Sequence, residues 1–423
     1  PKNYSGHQVL RVIPKNSYHI RSLKTLREKY KLNFWSATIK INSSILIQVS
    51  PNQQTPVRRY LHDSFVPYVI VIFDLQQTID RQYNDHKRTQ VKHHSQFDVS
   101  SYHTFDEIIE YLSLLNDHEN VNLIVIGNST ENRSLYVAEI KSNKAKDDRS
   151  AVFIECGIHA REWISPAACL FIINQLLNDP SLHELREQYV FYILPVLNPD
   201  GYEYTWTHDR LWRKTRSKPK GVERIYDSCI GVDLNRNFGY ATARAGTHTS
   251  NQPCEETYIG MKPFSEPEAR ALRDFLTRLK ANKTHILAMY ISLHSYGQVW
   301  TYPYAHTIEE PRNKRKLDTL AKIGSSAISK VHNTYWTYGS AARAIYKASG
   351  VSFDWVFDEI GFNYSFAIEM RDRGLNGFVL PKSEIISAAS ETWQGIKTVL
   401  FYLLERNQDS LKPNENKLKL FKY

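Results

Sequence analysis

SAVFIECGIHAREW, residues 150–163, is the stretch on which the fold turns. Its first half is an apolar run rich in aromatic and β-branched residues, the pattern of a strand covered on both faces. Its second half breaks abruptly into His159, Arg161 and Glu162. His159 and Glu162 stand three apart, a spacing that on a helical turn or tight loop points both side chains the same way. An imidazole and a carboxylate so placed suit a shared metal or an ordinary surface pair. The chain carries its own control, because His306 and Glu309 repeat the spacing within HTIEEPRNKRK, among charges expected to be solvated. Spacing alone does not choose between the two; context does.

Outward from this run, apolar strands alternate with helices. Before it stand the helical pattern TFDEIIEYLSLL (104–115) and the strands NLIVIG (122–127) and SLYVAEIK (134–141). After it come a helix at PAACLFIINQLL (166–177), the strand YVFYILPVLN (189–198) and the helix EPEARALRDFLTRLK (266–280). The strand HILAMYISLHS (285–295), a helix near KLDTLAKIGSSAISKV, the strand SFAIEM (365–370) and a last helix from Ser383 to about Leu404 complete the pattern. The alternation predicts an α/β fold, a mixed, mostly parallel sheet sandwiched by helices.

Residues 6–76 read differently. HQVLRVIP, SATIKINSSILIQVS and VPYVIVIF predict strands and SLKTLREKYKL a helix, which makes a small α+β unit. LQQTIDRQYNDHKRTQVKHHSQFD (75–98) follows, polar, basic and without hydrophobic period, and predicts an exposed linker open to proteolysis. The polar tail NQDSLKPNENKLKLFKY is expected to be loosely ordered. The expected division is residues 1–92 and residues 93–423, two domains being the natural expectation for 423 residues.

Composition narrows the function classes. A hydrophobic content of 42% with 8 Trp describes a globular chain, and no apolar run approaches the ~20 residues of a membrane span. The net charge of +10 is local: residues 1–92 hold 15 Lys/Arg against 5 Asp/Glu, leaving 39 of each sign in residues 93–423. The basic segment suits an acidic surface such as a glycan or membrane, or is a solvated face, and does not call for a nucleic-acid partner. Cys156, Cys169, Cys229 and Cys254 form an even, sparse set without a CxxC, which suits two disulfides better than a zinc cluster. Sequons at Asn3, Asn42, Asn128, Asn132, Asn282 and Asn363 agree with secretion, and a start at Pro1 places any targeting segment outside the sequence.

Functional residues of such sheets collect where strands end. Four strand ends here carry unusual polar sequence: IHAREW, LNPDG, SLHSYG and FAIEMRD. His294 closes one apolar run as His159 closes another. Two His and one Glu at strand ends fit the three-ligand, open-position layout of catalytic zinc. Glu369, between apolar neighbours, suits either a general base or a buried ion pair with Arg371 or Arg373. Arg213 in RLWRKTRS and Asn235 with Arg236 in GVDLNRNF supply a planar fork for a carboxylate, or surface ion pairs.

HAREW, LNPDGYEYTWTHDRLWRKTRS, GVDLNRNF, SLHSYG, IYKASG and FAIEMRD stand in the order and context of the zinc metallocarboxypeptidases of the pancreatic A/B group, and the chain resembles that family from about Tyr102 to Leu404. Residues 1–92 resemble its inhibitory propeptide. The resemblance implies a carboxypeptidase-like fold preceded by an open-sandwich propeptide domain with its activation linker. It implies one zinc ion held by His159, Glu162 and His294, a water activated by Glu369 and an oxyanion steadied by Arg213. Asn235, Arg236 and Tyr346 would hold the terminal carboxylate of a peptide or protein substrate, with Arg161 helping to dock it. Cys229 with Cys254 matches the group's common disulfide, and Cys156 with Cys169 a second found in some members.

The expected protein is thus a secreted, extracellular and monomeric zymogen of a zinc exopeptidase, released by a trypsin-like protease near Arg81, Lys87, Arg88 or Lys92. Phe353 stands where the family's specificity pocket has its floor, and an apolar residue there marks preference for apolar C-terminal residues. The segment VFDEIGFNYSFAIE is one residue longer than the family's usual spacing, and Asp358 or Glu359 within it keeps open a B-type preference for Lys and Arg. A catalytically silent relative that binds peptides or glycans is the remaining alternative.

Overall fold

The computed structural model describes residues 1–36, 38–92, 97–142, 149–218, 228–239, 248–283 and 285–411. Strands β1 (Gln8–Val12), β2 (Asn33–Phe34), β3 (Ile45–Val49) and β4 (Tyr68–Ile72) form an antiparallel sheet in the order β2-β3-β1-β4. Helices Ser17–Tyr30 and Gln54–Asp63 cover one face, where Leu23, Leu26, Val57 and Leu61 meet Leu10, Ile45 and Ile47. The first helix starts where the Asn16 side chain accepts from the His19 N–H, and ends on Lys31 in the left-handed region. The long strand expected over 36–50 is interrupted, because residues 40–43 turn, with the Ser43 N–H on the Lys40 carbonyl and Asn42 at φ +60°.

The linker expected after β4 is instead a helix, Leu75–Lys92. Its buried positions are Leu75, Ile79 and Gln82, with Tyr83 half-buried beside them, the i, i+4, i+7, i+8 spacing of one helical face. Two of the four positions are polar or amphipathic, so the face is weak in hydrophobicity. Its partners supply the rest: Gln82 Nε2 donates to the Leu380 carbonyl at 2.8 Å, Arg210 Nε donates to Gln82 Oε1 at 2.9 Å, and Tyr83 OH donates to the Thr205 carbonyl at 2.7 Å.

The second sheet has eight strands in the order β11-β10-β12-β9-β7-β8-β6-β5. They are β5 (Val121–Asn128), β6 (Ser134–Ile140), β7 (Ser150–Glu155), β8 (Tyr189–Leu194), β9 (Ile286–Ser295), β10 (Val299–Tyr302), β11 (Thr337–Ser340) and β12 (Tyr364–Met370). The pairs β12/β9, β9/β7, β7/β8 and β10/β11 are parallel; β10/β12, β6/β8 and β5/β6 are antiparallel. The expected mixed, mostly parallel sheet is therefore present. Helices Ile164–Asn178, Lys314–His332 and Ile385–Leu411 pack on one face, and Pro267–Asn282 with the segment around Val351–Ile360 on the other. The last helix continues past Leu404 to Leu411, and the tail from residue 412 lies outside the described residues.

Two features set the site's geometry. Parallel register levels the strand ends, with Glu155 opposite Ser292 and Glu369 opposite His294. The segment VFDEIG, expected to be one residue longer than usual, forms a π turn, Val356–Ile360, that closes on Gly361 at φ +91°. A π turn holds one residue more than an α turn, so it is the local geometry that an added residue before β12 would call for.

Gly324 lies against the Trp300 ring, where an added Cβ would overlap the indole. Gly324→Ala should therefore overpack this helix–sheet contact and lower stability by about 1–3 kcal/mol, read as a lower denaturant midpoint with unchanged slope.

Candidate active site

β7 stops at Glu155, and the chain reverses through Gly157 at φ +65°. A Cβ there would stand 3.1 Å from Val196 Cα and 3.2 Å from the Pro195 carbonyl, so the turn needs glycine. Beyond it the Glu162 N–H closes a turn on the His159 carbonyl at 3.2 Å, and the Ala160 N–H bonds the Arg213 carbonyl at 3.1 Å. His294 arrives from the end of β9. His159 Nδ1 lies 2.8 Å from Glu162 Oε1 and 3.2 Å from His294 Nδ1, which lies 3.1 Å from Glu162 Oε2. All three side chains are buried, with one ligand atom from each within 4.8 Å of the others, and they are the metal-type cluster found among the described residues. The control pair goes elsewhere: His306 Nδ1 bonds Asp354 Oδ2 at 2.8 Å, so it is half-buried and partnered, and Glu309 is exposed.

The donor set fits zinc. Two imidazole nitrogens and a carboxylate face one point, and two Nδ1 atoms 3.2 Å apart require a shared proton or a cation between them. Burial opposes charge on His294, but its hydrogen bond to Glu162 and the carboxylates of Glu162, Glu369 and Glu155 raise it to about 9. The cluster thus prefers a positive charge at its centre.

Asp233, which the sequence reading passed over, organises this cluster. Its Oδ1 lies 3.2 Å from His159 Nε2 and accepts from the Asn235 N–H at 3.1 Å, while Oδ2 accepts from Arg213 Nη2 at 2.8 Å. Burial works against its ionisation, yet Arg213, Arg236 and His159 hold the carboxyl well below the usual range. A carboxylate behind a ligand histidine fixes the ring and its tautomer. The available signal was Asp233's place two residues before Asn235 in GVDLNRNF.

The remaining expected residues converge on the same space. Arg213 Nη1 stands 3.8 Å from Glu162 Oε1. Arg236 is held by the Asn235 and His248 carbonyls at 2.7 and 2.9 Å, and its Nη2 donates to Tyr346 OH at 3.3 Å. Asn235 Oδ1 accepts from the Ser352 N–H at 2.9 Å. Arg161 stacks 4.2 Å above the Phe378 ring and reaches Glu256 at 3.3 Å. Glu369 is half-buried in the wall, and its enclosure, with Glu162 nearby, lifts it to about 7 against the opposing pull of His294 and Arg213. All of these line one cleft of about 870 Å³.

Phe353 does not. It is 4% exposed, packs in the apolar cluster with Val351 and Trp355, and is absent from the cleft lining among the described residues. The cleft's other wall is the N-terminal unit, through Arg27, Phe34, Trp35 and Lys40. Trp35 meets the Phe378 ring at 5.5 Å, and Lys40 Nζ donates to the Arg343 carbonyl at 3.3 Å. The cysteines pair as Cys156–Cys169 and Cys229–Cys254.

Comparison with known proteins agrees with this geometry. The family described as Zinc carboxypeptidase matches residues 108–395, and that described as Carboxypeptidase activation peptide matches residues 10–82. Carboxypeptidase B of Rattus norvegicus is 35% identical over 96% of this chain and 95% of its own length. Carboxypeptidase A1 of Mus musculus is 36% identical over 94% of each. Among solved structures, thrombin activatable fibrinolysis inhibitor superposes with a TM-score of 0.84 at 32% identity, covering 95% of this chain and 99% of that one. Carboxypeptidase A from Helicoverpa armigera gives 0.83 at 26% identity, covering 96% and 100%. The chain belongs to the zinc carboxypeptidase family: it is an enzyme with zinc as its cofactor, in zymogen form with its activation peptide.

Proposed function

We propose that the activated chain removes apolar residues from the C-termini of peptides and proteins, with His159, Glu162 and His294 holding zinc. When bound, zinc polarises the scissile carbonyl and makes water acidic enough to lose a proton near neutral pH. Arg236, aided by Asn235 and Tyr346, clamps the terminal carboxylate and so sets the last peptide bond at the reacting position. Arg213 stabilises the negative charge that develops on the carbonyl oxygen. Glu369 takes the attacking water's proton and delivers it to the departing amine. Arg161 helps dock the chain further back. The observation that carries this reading is the opening of the His159–Glu162–His294 cluster, Glu369 and the Arg236 clamp onto one cleft.

The apolar preference is supported by what the neighbouring acids do. Asp354 accepts from the Ala305 N–H at 2.9 Å and pairs with His306, Asp358 accepts from Tyr304 OH at 2.8 Å, and Glu359 is exposed. None of the three lines the cleft among the described residues. A cationic side chain buried away from a carboxylate would cost several kcal/mol, whereas an apolar one gains about 1.5–3 kcal/mol. Glu255 and Glu256 are the lining acids that a Lys/Arg preference would have to use, and Glu256 is engaged by Arg161. A-type and B-type relatives match at near-equal identity, so Lys/Arg preference is the competing reading.

Residues 1–92 act as the propeptide in this reading, their sheet covering the cleft and their closing helix presenting Arg81, Lys87 and Arg88 to a trypsin-like protease. Secretion is part of the same proposal: disulfides belong to oxidising compartments, and no helix among the described residues is long and apolar enough to cross a membrane.

Trypsin treatment followed by profiling of the residues released from a peptide library tests these points together. Activity on large substrates should rise sharply on cleavage, and Leu, Ile, Val, Met and Phe should leave faster than Lys or Arg. Equal activity before and after cleavage would remove the inhibitory role, and faster release of Arg would establish B-type specificity.

Glu369→Gln keeps the shape of the side chain but cannot accept a proton. Turnover of the activated variant should fall by about 10²–10⁴ while the protein retains one equivalent of zinc. Near-normal turnover would exclude Glu369 as the base.

A further inference from the structure

We propose that Glu155, acting through Ser292, is a positioning residue for the metal centre, orienting His294 and supplying negative charge that favours cation binding. The proposal rests on the reading of His294 as a zinc ligand.

Sheet register makes the arrangement possible. Glu155 at the end of β7 sits opposite Ser292 of β9, and Tyr290, Ser292 and His294 alternate onto one face of β9. Ser292 Oγ lies 3.0 Å from His294 Nε2 and 3.3 Å from Glu155 Oε1, and Tyr290 OH donates to Glu155 Oε2. Because His294 turns Nδ1 towards His159 and Glu162, a ligand role requires its proton on Nε2. Asn235 Nδ2 is also 3.2 Å from Nε2, but it is itself a donor, since Asn235 Oδ1 is committed to the Ser352 N–H. The acceptor for Nε2–H is then Ser292 Oγ. A hydroxyl that accepts from His294 has one proton left, and it points to Glu155. The chain of bonds runs one way, from imidazole through hydroxyl to carboxylate.

Each ligand histidine therefore has a carboxylate behind it: Asp233 directly behind His159, and Glu155 one hydroxyl removed behind His294. The two acids differ in compensation. Asp233 pairs with Arg213, whereas burial pushes the Glu155 carboxyl up, opposed by the hydrogen bond from Tyr290 and by the nearby His294. A buried carboxylate of this kind is costly in the metal-free protein and is relieved by a cation at the centre. Glu155 and Ser292 touch neither substrate nor metal in this arrangement. Their effect is on how the centre is held.

The test is zinc affinity of the full chain, measured by competition with a chromogenic chelator, together with thermal unfolding with and without zinc. Glu155→Gln and Ser292→Ala should each weaken zinc binding about 10–100-fold. The metal-free Tm of Glu155→Gln should equal or exceed that of the parent, because burial already opposes a charge at this position. Glu155→Asp, which keeps the charge, should recover part of the affinity. Zinc affinity within twofold of the parent in both folded variants would overturn the proposal, as would a fall in metal-free Tm that accounts for the whole loss. His294→Ala is the control for the underlying assignment: unchanged affinity in that variant would refute the ligand role itself, whereas its loss with Glu155→Gln unaffected would refute only the relay.

Discussion

Four carboxylates meet beside the ends of parallel strands, those of Glu155, Glu162 and Asp233 buried and that of Glu369 half-buried. Burying negative charge is unfavourable unless each group is paired or hydrogen-bonded. The rest of the site follows from that requirement. Arg213 and Arg236 lie beside Asp233, two imidazoles surround Glu162, and hydroxyls from Tyr290 and Ser292 reach Glu155. What these partners leave unbalanced is a demand for positive charge beside Glu162, which is why the surrounding carboxylates raise His294 against its burial.

Strand register keeps those charges at their distances. Glu369 stands opposite His294 because β12 pairs with β9 in parallel, and Glu155 stands opposite Ser292 because β7 does the same on the other side. A one-residue slip would turn either side chain to the opposite face. An odd residue entering β12 would break that register. The wider turn at Val356–Ile360 lies ahead of the strand, and Gly361 in the left-handed region redirects the chain into it.

The N-terminal unit meets a different requirement. Its sheet is apolar on both faces, and its own two helices cover only one. Val9, Leu46 and Ile72 on the second face bury themselves with Leu211, Phe378 and Val379 of the larger unit. Satisfying that face brings Trp35 and Lys40 to the mouth of the cleft. Buried Tyr4 reinforces the dock by donating to Asp209 at 2.6 Å, where Lys2 also pairs. The helix Leu75–Lys92 continues the same contact and carries exposed basic residues along its outer side.

Local pattern by itself determined the long elements and the strand-end polar residues. The apolar runs of β7, β8, β9 and β12 are too continuous for a half-exposed sheet, and His159, Glu162, His294 and Glu369 each interrupt or end one. Tertiary structure decided whatever depends on a distant partner. The helix at 75–92 has little periodicity of its own and forms against Leu380, Arg210 and Thr205. Strands β10 and β11 are four residues each, too short to leave a pattern. Phe353 reads as a pocket residue from its neighbours in sequence, but its ring turns into the apolar cluster behind the cleft. Asp233 had only its place beside Asn235 to mark it and Glu155 had no mark at all, because a buried carboxylate acquires its role from the groups it faces. The deciding partners are distant in sequence, His159 lying 74 residues from Asp233 and Ser292 lying 137 from Glu155.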